Sequence, residues 1–161
     1  MVIHNIAVNF LKPVGDLPII KDALHLTYLE NFGAAFGMFA GNRFVLIGTT
    51  AVMIAVCIYV LFFVKLKETY FVTKKRRINL TNFLKIGLSL VIGGGIGNLY
   101  ERIFNGFVVD YIHFLKPVDF AVFNFSDTCV TVSVAFFAFY ILFENGDKLD
   151  ERNDKKGDET P

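Results

Sequence analysis

From Phe44 to Val64 the chain reads FVLIGTTAVMIAVCIYVLFFV, 21 residues without a charged side chain. A helix rises about 1.5 Å per residue, so a run of this length covers the roughly 30 Å hydrocarbon core of a bilayer. No water reaches the backbone there, and a spanning segment must pair its own N–H and C=O groups, which a helix does. Leu80 to Tyr100 is a second such segment, with Lys85 near its start, where the stem can snorkel. Ala121 to Phe143 is a third, and Asp127 is its only charge. The composition fits a lipid-embedded chain: 54% hydrophobic, 19 Phe and no Trp. The expected fold is a membrane all-α bundle.

The linker between the first two spans gives the orientation. Lys65, Lys67, Lys74, Lys75, Arg76 and Arg77 stand there against Glu68 alone, and such basic loops stay on the cytoplasmic side. The expected layout follows: 1–43 outside, 44–64 spanning, 65–79 a cytoplasmic loop, 80–100 spanning, 101–120 an outer loop, 121–143 spanning, and 144–161 a solvated cytoplasmic tail. The first residues, MVIHNIAVNFL, have neither the charged start nor the cleavage site of a signal peptide. A net charge of +1 gives no reason to expect nucleic acid. Cys57 and Cys129 sit in apolar runs and His4, His25 and His113 are scattered. No metal or cofactor is expected.

With this layout Asn31, Asp110 and the Asp127 end of the third span meet at the outer end of the bundle. A carboxylate inside an apolar span is costly and usually marks a function. Asp127 also suits the start of a helix, and Asp110 in FVVDYIHF also reads as a loop acid. Together they are the parts of an aspartic protease, a pair of carboxylates sharing one proton. Asn98, Arg102 and Asn124 are candidates to orient the pair or hold substrate. A different class, a proton- or ion-conducting protein, would use Asp127 with Lys85. Those two lie near opposite ends of their spans. GGGIGN reads as close helix packing through Gly93 and Gly97, and NFGAAFGMFAG as a small-residue face through Gly33, Gly37 and Gly41. The sequons NLT at Asn79 and NFS at Asn124 read as chance matches.

ENFGAAFGMF, GGGIGNLYERIFNGFVVDYIHF and VFNFSDT, in this order, resemble the bacterial lipoprotein signal peptidases, or signal peptidase II. The likeness runs from about Asp16 to Phe143. It implies a four-span, inner-membrane aspartic endopeptidase with a small β-rich platform on the outer surface. Such an enzyme removes the signal peptide of diacylglyceryl-modified prolipoproteins just before the lipidated cysteine, and globomycin-type inhibitors occupy its dyad. Its partners are the prolipoprotein and membrane lipid, and it is expected to be monomeric. By this resemblance Asp110 and Asp127 are the catalytic pair, Asn31, Asn98, Arg102 and Asn124 line the site, and Glu101 supports it by charge. Glu101 stands where the family usually has Asp, Ser126 where it has Ala, and Phe32 where it has Thr. Three spans are visible and the family has four; IHNIAVNFL resembles the end of the family's first helix. An inactive homologue that binds lipidated peptides is the remaining alternative.

Overall fold

The computed structural model describes residues 2–34, 41–72, 77–117 and 119–144. Gly37, Lys74, Lys75, Arg76 and the tail after Glu144 lie outside the described residues. The chain opens with α1, Val2–Ile6, which passes into a π-helical turn, Ala7–Leu11. Strands β1, Asp16–Ile20, and β2, Leu24–Asn31, follow as an antiparallel pair. Helix α2 covers Arg43–Phe63. A hairpin of β3, Tyr70–Val72, and β4, Arg77–Asn79, occupies part of the segment read as a plain loop. Helix α3 is Leu80–Phe104, strand β5 is Val108–Phe114, and helix α4 is Phe125–Glu144. Strand β5 returns to pair with β2, giving an antiparallel sheet in the order β1-β2-β5. This is the helical membrane protein with a small β platform that the sequence implied, with residues 1–43 part helical as well as β-rich.

The three long helices are each long and apolar enough to cross a membrane. Phe44, Phe62 and Phe63 on α2 stand more than 70% exposed, at 79%, 73% and 74%. In a bundle meant for lipid, that face needs no protein partner. Cys57, Leu88 and Val91 form the buried core between α2 and α3, with Phe137 of α4 packed against them.

Close approach of α3 to its neighbours depends on missing side chains. A Cβ added at Gly87 would sit 2.5 Å from Cε1 of Phe137, and one at Gly94 would sit 2.5 Å from the backbone oxygen of Ser126. A Cβ on Gly97 would strike Oγ of Ser126, and one on Gly95 would lie 2.9 Å from Cγ1 of Ile54 on α2. The packing expected at Gly97 is therefore present. The packing expected at Gly93 is not, since a Cβ there meets nothing within 4 Å; Gly94 and Gly95 do that work. Gly94→Ala should displace the first turn of α4, which includes Asp127. We expect a destabilisation of about 1–3 kcal/mol and, through displacement of Asp127, a loss of any activity that depends on it on the order of tenfold or more. Thermal unfolding in detergent beside an activity assay checks both.

Two boundaries differ from the sequence reading. Helix α3 continues through Glu101, Arg102 and Phe104 into the stretch read as outer loop. It continues because both charges find partners: Glu101 Oε2 accepts the N–H of Val109 at 2.7 Å, and Arg102 donates to the carbonyl of Gly33 at 2.8 Å. It ends at Asn105, and Gly106 follows with φ +86°, a left-handed conformation common just past a helix end. The third helix begins at Phe125, not Ala121. Phe123 is held extended beside β5, donating its N–H to the carbonyl of Ile112 at 3.0 Å and accepting from Tyr111 and Ile112.

Candidate active site

Asn124 is the residue before α4, and it explains why the helix starts there. Its Oδ1 accepts the backbone N–H of Asp127 at 3.0 Å, and Oδ2 of Asp127 accepts the N–H of Asn124 at 3.2 Å. This is a reciprocal capping box, with each side chain serving the other's backbone donor. Asn79 does half of this for α3, where its Oδ1 accepts the N–H of Thr81 at 2.9 Å. Both apparent sequons therefore start with residues just ahead of helices, and Asn124 is only 4% exposed.

The same Asn124 reaches Asp110. Its Nδ2 donates to Oδ1 of Asp110 at 2.7 Å and to Oδ1 of Asn98 at 3.2 Å. Asn98 in turn donates to Oδ1 of Asp127 at 2.7 Å. On the far side Asn31 donates to Oδ2 of Asp110 at 2.8 Å, while its own Oδ1 accepts the N–H of Gly33 at 2.9 Å. The two carboxylates thus share an amide frame built from β2, α3 and the cap of α4. Each carboxylate oxygen accepts one N–H, which leaves further lone pairs for a proton or substrate.

Asp110 is 1% exposed. Burial is the largest cause pushing its carboxyl up, to about 6. The nearby Asp127 charge pushes the same way, while the Asn31 and Asn124 donors and Arg102 oppose it. Asp110 and Asp127 both face a cleft of about 1070 Å³. Asn31, Asn98 and Arg102 also line it, and its apolar walls include Phe32, Met53 and Val130. Arg102 is 8% exposed, and its Nε has no hydrogen-bond partner.

Of the residues singled out in the sequence, Asn31, Asn98, Arg102, Asp110, Asn124 and Asp127 come together here. Glu101 does not. It faces a separate cavity and acts on the strand through the Val109 amide. Gly33, whose carbonyl anchors Arg102, was noted only as a small residue. Among the described residues, no group of His, Cys, Asp or Glu could hold a metal ion.

The family description "Signal peptidase (SPase) II" matches residues 1–143 of this chain. The chain belongs to the signal peptidase II family. It is 37% identical over 144 residues to a lipoprotein signal peptidase of Clostridium acetobutylicum, covering 88% of this chain and 85% of that one. A lipoprotein signal peptidase of Caldanaerobacter subterraneus subsp. tengcongensis is 37% identical over 142 residues, covering 88% and 86%. A bacterial membrane enzyme solved by the in meso method superposes with a TM-score of 0.76 at 25% identity, covering 91% of this chain and 82% of that one. A second such structure gives a TM-score of 0.70, also at 25% identity. As a signal peptidase II family member, the protein is a peptidase of bacterial type with several membrane-spanning helices.

Proposed function

We propose that this family member removes signal peptides from diacylglyceryl-modified prolipoproteins by an aspartic mechanism, cutting before the lipidated cysteine. The observation that carries the reading is the amide frame that brings Asp110 and Asp127 to one cleft. Asp110, with its raised carboxyl, holds the proton, and Asp127 is the base. Asp127 takes a proton from water as the water oxygen bonds to the scissile carbonyl carbon. Asp110 gives its proton to the carbonyl oxygen, forming a gem-diol. Asp127 then passes its proton to the leaving nitrogen, the C–N bond breaks, and Asp110 recovers a proton from the diol. Both groups return to their starting states.

A lipidated helix in the bilayer presents its scissile bond at the outer end of the spans, which suits a dyad made of the first turn of α4 and the strand β5. Arg102 lines the cleft, which supports a role in binding a substrate carbonyl, and a globomycin-type inhibitor would compete for the same frame. The ion-conducting alternative has little support. Gly94 packs against Ser126 beside Asp127, and Lys85 lies nine residues back along α3, about 14 Å away.

The test is cleavage of a diacylglyceryl prolipoprotein and its unlipidated form across pH. Cleavage of the lipidated form alone is the expected result, and failure to cut it would overturn the reading. The ordinary value of 3.8 for Asp110 is raised to about 6, so the required proton is present below that pH and lost above it. The value of kcat/KM should fall about tenfold per pH unit above an alkaline limb near pH 6. Asn31→Ala removes a donor that favours the charged form and should move the limb to higher pH. The fold binds this proton more tightly than the unfolded chain does, so the Asp110 contribution to stability declines as pH rises from 3.8 to about 6.

The orientation belongs to the same proposal, with the hairpin side cytoplasmic, the cleft outside and the C-terminus cytoplasmic. Single cysteines at Lys67 and Asn105, in a background lacking Cys57 and Cys129, report it. An impermeant reagent added to intact cells should label position 105 and spare 67, and the reverse pattern would invert the topology.

A further inference from the structure

Behind the strand that carries Asp110 lies a second cavity, of about 760 Å³, which the proposed reaction leaves unused. Glu101 lines this cavity and not the cleft. Its Oε2 accepts the backbone N–H of Val109 at 2.7 Å, and Nδ1 of His4 on α1 lies 3.2 Å from the same oxygen. The His4 and Glu101 side chains are only 19% and 17% exposed. Val109 and Asp110 are both 1% exposed, so the first residues of their strand are enclosed.

Helix α3 therefore fixes both carboxylates. Asn98 holds Asp127 directly, and Glu101, three residues later, holds the peptide unit next to Asp110. Three residues advance a helix by about 4.5 Å, so one turn of α3 sets the spacing of the pair along the bundle.

We propose that His4 and Glu101 form a positioning pair that sets the depth of Asp110 in the site, a role that rests on the aspartic reading above. Nδ1 of His4 is buried and closes no aligned hydrogen bond. A bare lone pair at that nitrogen would face a carboxylate oxygen in a buried setting, which is unfavourable. A hydrogen on Nδ1 would face Oε2 at 3.2 Å, so the His4 ring is the group that backs the Glu101 carboxylate against Val109. The other titratable groups on the cavity wall are Tyr100 of α3 and Tyr111 of β5. Arg102 adds its charge from the cleft side. Helix α1 thus joins the catalytic apparatus although it contributes no residue to the cleft.

The test is steady-state cleavage of a diacylglyceryl prolipoprotein by wild type, Asp110→Asn, Glu101→Ala, Glu101→Gln, His4→Ala and the His4→Ala/Glu101→Ala double variant. Glu101→Ala should lower kcat about 10- to 100-fold, the size of effect a displacement near 1 Å produces, with KM within about twofold. Glu101→Gln keeps an acceptor for Val109 and should recover most of that loss. His4→Ala should lower kcat by about three- to tenfold and add nothing in the Glu101→Ala background, because the two act as a unit. Amide exchange at β5 should rise in the same order. Additive effects, a rise in KM at constant kcat, or full activity of Glu101→Ala would overturn the proposal. If Glu101→Ala does not fold, His4→Ala decides alone, and unchanged kcat with unchanged exchange at β5 sinks the pair. Asp110→Asn separates the two readings: if it still cuts, the dyad itself is wrong, and if it is dead while Glu101→Ala is normal, only the positioning pair is wrong.

Discussion

Asp110→Asn or Asp127→Asn should each reduce prolipoprotein cleavage by on the order of 10³-fold or more, since each removes one half of a paired acid–base step. The change preserves shape but not hydrogen bonding. Both oxygens of Asp110 accept amide donors, from Asn124 and from Asn31. Both oxygens of Asp127 also accept, from Asn98 and from the Asn124 backbone. An introduced amide sets an N–H₂ against one of these donors, so each variant also loses stability, by about 1–3 kcal/mol. The double variant should cut hardly less than either single one, because the carboxylates work as one unit. Turnover is measured by gel shift in detergent, from a preparation free of host peptidase, with unfolding followed in parallel. Substantial turnover by either single variant would remove the dyad.

Asn124→Ala should be nearly as damaging without touching a reacting group. It removes the acceptor that caps α4 and the donors to Asp110 and Asn98. Loss of the cap costs about 0.5–2 kcal/mol. The exposed need of a buried Asp110 oxygen adds about 1–3 kcal/mol. Activity should fall about 10²-fold, the penalty for a misplaced catalytic group. Asn124→Asp separates the two jobs. Its carboxylate can still cap the helix, so the capping part of the loss should return, while Asp110 stays without its donor and the remaining stability loss persists. It also sets a second carboxylate beside Asp110, in addition to Asp127, so activity should stay low and the alkaline limb should move to higher pH. If Asn124→Asp were fully active, the bridge from Asn124 to Asp110 would be dispensable.

The spans were legible because an uncharged run of the length of α2 has few other fates. The meeting of Asn31, Asp110 and Asp127 at one end of the bundle also followed from alternating crossings. The start of α4 did not. Ala121 to Phe123 is as apolar as the helix after it, and pairing of Phe123 with β5 holds it extended ahead of the Asn124 cap. Asn124 was read as a site residue, and its second role as helix cap depended on a three-residue spacing to Asp127 that lay in plain view. The direction of Glu101 was hidden for a geometric reason. Adjacent residues on a helix point about 100° apart, so Arg102 faces the cleft while Glu101 faces the cavity behind it. Adjacent charges in one motif looked like one function and serve two sides of a helix. The β platform came from family resemblance alone, since β1 is exposed along its whole length and shows no alternation.

Asn31 and Asp110 stand 79 residues apart in the chain, and Asp127 lies on the last helix described. None of the local segments holds a complete pair of carboxylates in its frame. On the aspartic reading proposed above, the pair assembles only where α4 packs on α3 and β5 closes on β2, so assembly of the tertiary fold would itself be the step that switches the site on.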